Sequence, residues 1–307
     1  MIDHSNLRLG KRPRRHDPRT LKLARYLTSA LPPAPPCIDY TCGIRDWGMM
    51  LNDRLGCCTI AAVAHAVQVW TANAGYELSF PDPVILDYYQ TWDGYKPADP
   101  SSDQGGVEID VLNAWRQQGF GGQALEAYGA IDLGVGDWGL GAGENPNTHP
   151  STPSTPRVSI LPNLDVMDAI WLFGGAYIGV ELPVRAQTQE IWDVPENLTA
   201  DDEPGSWGGH AVYLVGYETG LARVPFADFR SSLEEPPISS PSSIDNQQST
   251  ITCITWGQLK KMTWRWFAKY CSEAYGLVAK AWLRESGISP SGFDLATLEA
   301  DLKAITL

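Results

Sequence analysis

Cysteine is scarce in this chain, with six residues among 307. That number is far too low for a small disulfide-stapled scaffold, and no two cysteines have the CxxC spacing of a zinc site. The five histidines are scattered without metal-ligand spacing, and no glycine-rich phosphate loop follows a predicted strand. We therefore expect a reducing compartment, no bound metal and no cofactor. A bridge between Cys37 and Cys42 stays an alternative, because sequence alone gives no distance between them.

Long apolar runs and an excess of basic residues are also absent. No stretch reaches the roughly 18 uncharged apolar residues of a membrane-spanning helix, and residues 1–36 lack the apolar core of a secretion signal. Lys and Arg number 23 against 36 Asp and Glu, which gives a formal net charge of −13. This charge argues against nucleic acid or an anionic membrane as the main partner. We expect a cytoplasmic protein, with association with a virion and the oligomeric state left open.

The chain does have ample material for a core. Hydrophobic residues make up 43% of it and tryptophans number 12, which is enough for one large domain or two lobes. Changes in composition divide the chain into five segments. We predict a basic, proline-ended arm at 1–36, a helical lobe at 37–131, a low-complexity insertion at 132–157, a β-rich lobe at 158–283 and a C-terminal helix at 284–307.

Apolar periodicity predicts the order of helices and strands. Helices are expected from Cys58 and after Asp294, and at 84–92, 108–118, 164–173 and 263–275; buried strands are expected at 176–182, 211–217 and 251–256. A second loop, rich in Ser and Pro, is expected at 229–249. The helix from Cys58 carries apolar residues on nearly every side, which predicts a central position, and His65 within it is interpreted as a packed core residue.

Two residues carry candidate chemistry. Cys58 stands at a predicted helix start, two residues after Gly56, and His210 stands at a predicted strand start. Only a thiolate attacks a carbonyl efficiently, and a helix N-terminus or a neighbouring imidazolium lowers the pKa of a thiol from about 8.5. The pair therefore predicts a cysteine nucleophile with a histidine base. Cys57 is interpreted as a neighbour without a catalytic role.

Several short motifs accompany this pair in a fixed order along the chain: Asp39-Tyr40, Gly56, Gly105-Gly106, His210-Ala211-Val212 and Trp256-Gly257. In these motifs residues 39–256 resemble a papain-like cysteine peptidase, of a divergent bacterial or phage branch. The resemblance implies an α+β, two-lobed papain-like fold with a helical lobe and an antiparallel β-barrel-like lobe. It also implies a peptide or protein substrate, whose peptide bond is hydrolysed through a thioester on Cys58 with His210 as general base.

The resemblance implies further roles around the pair. Asn52, six residues before Cys58, takes the position of the family's oxyanion donor. Gly105 and Gly106 take the position of a double glycine whose backbone binds an extended substrate, since a side chain there would block its approach. Trp256 takes the position of a tryptophan that shields the histidine from water.

The third triad position departs from the family pattern. The family places an asparagine two residues before the tryptophan, where this chain has Ile254, which cannot form a hydrogen bond with imidazole. Thr255, Thr252 or a backbone carbonyl are candidates to orient His210, with Thr255 as the named candidate; the alternative is that packing alone holds the ring. Two other functions stay open. One is a papain-fold binding or virion-associated structural module with weakened catalysis; the other is an acyl transferase that uses the same Cys-His pair.

Four acidic residues invite comparison with the paired carboxylates of glycosidases, because the many tryptophans could stack on sugars. They are Asp87, Glu108, Asp110 and Glu273. We interpret them instead as helix caps and surface charges. The arm at 1–36 is shorter than an inhibitory propeptide of the papain family, and we expect it to pack across the lobes.

Overall fold

The computed structural model describes residues 7–25, 34–133, 164–219 and 249–292. Five α-helices lie in these ranges: α1 (Cys58–Asn73), α2 (Asp82–Asp93), α3 (Glu108–Gln118), α4 (Leu164–Phe173) and α5 (Trp264–Tyr270). Eight strands accompany them: β1 (Cys37–Asp39), β2 (Ala127–Ala130), β3 (Ala176–Leu182), β4 (Ile191–Trp192), β5 (Gly208–Glu218), β6 (Thr250–Thr255), β7 (Gln258–Thr263) and β8 (Cys271–Val278). The α+β class is confirmed. Nearly all of the predicted insertion at 132–157 and loop at 229–249, and the helix after Asp294, lie outside the described residues.

The strands form one sheet in the order β2-β8-β3-β5-β6-β7-β4, and β1 pairs with β5 beside this path. The pairings are antiparallel except for β4 with β7. Strand β5 is the longest and is buried from His210 to Tyr217. Its Val, Leu and Tyr side chains suit a strand covered on both faces. Residues at the start of β5 are therefore held rigidly at the centre of the molecule.

Helix α1 packs against β5 and is buried from Cys58 to Thr71, which confirms the prediction of a central helix. Trp70 fixes its C-terminal half: the indole stacks on Trp115 with ring centroids 5.4 Å apart and meets Tyr213 edge-on at 6.3 Å. The indole N–H also donates to the carbonyl of Phe173 at 2.8 Å. His65 is buried, with Nε2 2.8 Å from the carbonyl oxygen of Trp47, so it is a core residue as predicted.

The helix predicted over 263–275 is wrong beyond Tyr270. The chain leaves α5 there and enters β8, which pairs with both β2 and β3. The run from Cys271 to Val278 is buried on both faces, and a continuous apolar run of that length suits either a buried helix or a buried strand. Partners from distant parts of the chain decide between the two.

Candidate functional site

Cys58 is the first residue of α1 and is fully buried. Its Sγ accepts a hydrogen bond from the backbone N–H of Ala211 at 3.4 Å, so the helix start lies directly against the start of β5. Cys57 is the N-cap residue, and its thiol donates to the carbonyl oxygen of Met50 at 3.3 Å. The two neighbouring thiols thus have different hydrogen-bond partners, and that of Cys58 lies on the strand that carries His210.

His210 has one ring nitrogen held and one unused. Its Nε2 lies 2.7 Å from the hydroxyl oxygen of Thr255, at the end of β6. Its Nδ1 is buried and has no hydrogen-bond partner among the described residues. If Nε2–H donates to Thr255, Nδ1 carries the lone pair and can accept a proton. A bond donated from Nε2–H to Thr255 thus leaves Nδ1 as the basic nitrogen of the ring.

Trp256 covers the histidine ring. The two rings are stacked, with centroids 4.4 Å apart and an interplanar angle of 14°. Trp256 and Gly257 form the two-residue turn between β6 and β7, with φ of 46° and 69°. Tryptophan rarely adopts this left-handed conformation, which costs about 1–3 kcal/mol. The fold tolerates this strain at the position where the indole stacks on the imidazole.

The loop before α1 is strained as well. Met50 and Leu51 have φ of 52° and 65°, and with Trp256 they are the non-glycine residues of the described chain that have positive φ. Strained residues of this kind cluster at functional sites. The next residue, Asn52, is buried, and its Oδ1 lacks a hydrogen-bond partner within the described ranges. Its backbone carbonyl accepts from the N–H of Arg8 at 3.1 Å.

Residues 7–12 of the arm pass directly beside these groups, and we name them the arm segment. Gly106 N–H donates to the carbonyl of Gly10, and Arg12 N–H donates to the carbonyl of Gly106, both at 2.8 Å. On the other side, Lys11 N–H donates to the carbonyl of Gly209 at 3.1 Å. Gly106 therefore pairs with an extended segment, and in this structure that segment is the chain's own arm.

Glycines make room for this approach. A Cβ on Gly105, whose φ is +70°, would overlap the carbonyl of Gly10, and a Cβ on Gly10 would overlap the carbonyl of Gly56. A Cβ on Gly209 would overlap the carbonyl of Lys11. Contacts this close between backbones are available only to glycine. The arm segment is thus sealed between the start of α1, the Gly105-Gly106 segment and the start of β5.

Burial keeps both reactive groups neutral in this arrangement. It raises the pKa of the Cys58 thiol to about 12, although backbone amides of Ala211 and Gly10 act in the opposite direction. Burial also lowers the pKa of His210 to about 3, with a smaller contribution from His65. The thiol and the imidazole are therefore neutral while the arm segment is in place, and a thiolate–imidazolium pair requires water or substrate instead.

Asp93 was not predicted as a site residue, although its carboxylate lies directly beside Gly106. A Cβ on Gly106 would overlap its carboxylate, and the hydroxyl of Thr59 donates to its Oδ2 at 3.0 Å. Burial raises the pKa of Asp93 to about 7. One sequence feature could have identified Asp93 as unusual. It is the last residue of α2, where the helix dipole disfavours a negative charge.

Two of the acids interpreted as caps or surface charges are neither. Glu108 has 0% and Glu273 has 2% of its surface exposed, so this interpretation is wrong for both. Asp110 is partly exposed and pairs with Arg15. Cys42 is an exposed free thiol, so the alternative of a bridge to Cys37 is not formed. Within the described ranges no cluster of His, Cys, Asp or Glu could hold a metal ion, and no helix is long and apolar enough to cross a membrane.

With the arm segment displaced by Gly10→Val, whose side chain would overlap Gly56, Thr255→Val is expected to lower kcat/KM for peptide hydrolysis about tenfold to a hundredfold. This loss is a part of the 10²–10⁴ that a positioned base contributes. Valine keeps the shape of threonine but leaves the His210 Nε2 without its partner. Thr255→Ser is expected to restore the rate. Thr252→Val on the same strand is the matched control, and equal losses in the two valine variants would contradict an orienting role. The measurement is kcat/KM against pH for all three.

No protein-family model matches this chain, and no curated protein matches it in sequence. Solved structures do match it in three dimensions. One is xylellain, a cysteine protease from Xylella fastidiosa, with 13% identity and a TM-score of 0.49 over 89% of this chain and 96% of that one. Another comes from work on antibody cross-reactivity between the mite allergens Blo t 1 and Der p 1, with 13% identity and a TM-score of 0.43 over 82% and 74%. Both scores are below 0.5, so the chemistry below is inferred from this chain's own residues.

Proposed function

We propose that this chain is a papain-like cysteine peptidase with Cys58 as nucleophile and His210 as general base. One observation carries the proposal: the Cys58 thiol lies at a helix N-terminus and is hydrogen-bonded to the residue after His210. The ring of His210 is held at Nε2, and its Nδ1 has no hydrogen-bond partner in the described part of the chain. A purely structural cysteine needs no strained tryptophan stacked on a neighbouring histidine. Peptide or protein is the substrate class, because Gly106 pairs with an extended backbone.

The proposed reaction has two steps. Nδ1 of His210 accepts the proton of the Cys58 thiol, and the thiolate attacks the carbonyl carbon of the scissile peptide bond. The side-chain amide of Asn52 and the backbone N–H of Cys58 stabilise the oxyanion, and the imidazolium protonates the amine that leaves. Water, deprotonated by His210, then hydrolyses the thioester and restores the free thiol.

The test is the rate of Cys58 alkylation by iodoacetamide between pH 5 and 9, with the modified site assigned by mass spectrometry. With the arm segment in place, the raised pKa of Cys58 predicts slow labelling that increases only in alkali. Gly10→Val should displace the arm segment, since any Cβ there overlaps Gly56. In that variant we expect rapid labelling below pH 7, slowed at least about tenfold by adding His210→Ala.

Labelling of Cys58 only above about pH 8 in every one of these proteins would contradict the proposal, because an unactivated thiol behaves in this way. The chain would then be a binding or structural module of the same fold. Product analysis with an added amine distinguishes hydrolysis from acyl transfer, since a transferase would give the amide of that amine.

A further inference from the structure

One face of the sheet carries a buried acidic pocket beside the arm segment. Gly179 and Glu181 lie two residues apart on β3, so they face the same side, and Glu273 lies opposite Gly179 on β8. Tyr275 holds Glu273 by donating to its Oε2 at 2.9 Å, and Ser272 donates to Oε1 of Glu181 at 3.2 Å. Gly179 forms the floor of the pocket, because it has no side chain to fill the space.

The side chain of Lys11 fills this pocket. Its Nζ lies 2.9 Å from Oε1 of Glu181 and 3.2 Å from Oε1 of Glu273, and its own side chain is fully buried. It also donates to the carbonyl of Arg12 at 3.4 Å. A Cβ on Gly179 would overlap Cε of Lys11 and lie 2.7 Å from Oε1 of Glu108, so Glu108 closes the third side.

The pocket holds more negative charge than Lys11 can neutralise. Among the described residues, neither buried carboxylate oxygen of Glu108 has a hydrogen-bond partner. Oε1 of Glu273 also lacks a hydrogen bond there and has only its 3.2 Å ion-pair contact with Lys11. Burial followed by the charge of Glu273 raises the pKa of Glu108 well above its ordinary value. Burial alone would lower the pKa of Lys11, but the carboxylates of Glu273, Glu108 and Glu181 raise it above its ordinary value. Removing the cation from such a pocket is strongly destabilising.

The backbone explains which residue enters the pocket. Gly106 bridges Lys11 in a parallel arrangement, donating to the residue before it and accepting from the residue after it. The side chain that reaches the pocket is therefore that of the residue opposite Gly106. Because Gly106 binds backbone atoms alone, another extended peptide can replace the arm segment and place its own side chain in the same position.

We propose that the pocket formed by Glu108, Glu181 and Glu273 is a substrate-specificity site for a lysine or arginine side chain, and that Lys11 occupies it as a substitute for substrate. This inference rests on the proposed function and adds the substrate class: peptides with a basic residue opposite Gly106. An arginine can use the oxygens of Glu108 that Lys11 leaves unpartnered, since guanidinium has five donors.

The arm segment is held as an occupant that is not cleaved. The carbonyl oxygen of Gly10 accepts from the N–H of Gly106 at 2.8 Å, and the effect of Gly10 on the Cys58 thiol is to lower its pKa, as a backbone amide does. A scissile bond would have to present a carbonyl carbon at that position. The arm segment therefore occupies the specificity pocket while it presents the wrong group to the nucleophile.

A binding experiment tests the pocket without catalysis. The protein is the 307-residue chain with the substitutions Cys58→Ala and Lys11→Glu. The reversed charge at position 11 expels the arm segment, so an added peptide can enter the pocket. Calorimetry would measure binding of a blocked peptide of residues 7–14 and of the same peptide with Lys11→Met. We expect the methionine peptide to bind at least about thirtyfold more weakly. Equal affinities would overturn the pocket as a site for a cation.

Glu181→Gln in the same protein is expected to remove much of this preference, whereas Asp87→Asn, an exposed acid on α2, should not change it. Melting curves verify that each variant is folded. If Lys11→Glu does not fold, Gly10→Val displaces the arm segment without altering the charge of the pocket. Loss of preference in the Asp87→Asn control as well would overturn the assignment to these three glutamates.

Hydrolysis then separates the two proposals. Catalytically intact Gly10→Val would be given peptide libraries with Lys, Arg or Leu at each position. Cleavage that favours Lys or Arg at one fixed position supports the inference. Cleavage without that preference overturns the specificity site and leaves the peptidase proposal standing. If the pocket binds basic peptides but no peptide is cleaved, the result contradicts the peptidase proposal. It also overturns the role of the pocket as a substrate site.

Discussion

Replacing Cys58 by alanine is expected to lower hydrolysis of fluorescein-labelled casein at least about a thousandfold in the Gly10→Val background. The thiol provides the covalent intermediate, and no other described side chain at the head of α1 replaces it, because the Cys57 thiol is hydrogen-bonded to Met50. His210→Ala is expected to give a loss of similar size. The double variant should be no worse than either single variant, since the two residues act as one unit.

Cys57→Ala is the matched control, because it removes the adjacent thiol from an equally buried position. It is expected to retain casein hydrolysis within about threefold, with a modest loss of stability from the missing sulfur contacts. Activity that survives Cys58→Ala and disappears with Cys57→Ala would show that Cys57, and not Cys58, is the nucleophile. Activity that survives both substitutions would exclude cysteine chemistry altogether.

Trp70→Ala is expected to lower the free energy of unfolding by about 3–5 kcal/mol. The indole is fully buried between α3 and β5 and holds α1 to the end of α4 through the carbonyl of Phe173. Alanine leaves a large cavity and removes the indole N–H that donates to the carbonyl of Phe173. A domain of ordinary stability has about 5–15 kcal/mol in total, so the loss is a large fraction of it. Urea unfolding followed by circular dichroism measures the change.

Trp70→Phe separates packing from hydrogen bonding. The phenyl ring refills part of the cavity, so we expect a smaller loss than with alanine, and the remainder reflects the missing N–H donor. A loss of less than about 1 kcal/mol for Trp70→Ala would show that α1 is not anchored at this position. Iodoacetamide labelling of Cys58 in the same variants reports whether loosening the helix exposes its N-terminus.

Local patterns were sufficient to predict most of the elements. The helix from Cys58 and the strand after His210 were predicted because a continuous apolar run follows each residue, and α3 ends at Gly119 as its sequence indicates. Cys58 and His210 were chosen as candidates because each stands at the start of a helix or strand, close to a glycine. The roles of Asn52, Gly105, Gly106, Thr255 and Trp256 stay predictions, to be tested as described above.

Local patterns could not predict contacts between residues that lie far apart in the chain. The tendency of residues 271–278 to form a strand follows from pairing with β2 and β3, not from their apolar pattern. Glu108 and Glu273 read as surface charges because a carboxylate is normally exposed, and only their meeting with Lys11 makes burial tolerable. The sequence by itself determined the class of fold and a candidate nucleophile and base. The tertiary structure decided what surrounds them, because the cost of burying a charge depends on which opposite charge lies beside it, and Lys11 lies 170 residues from Glu181.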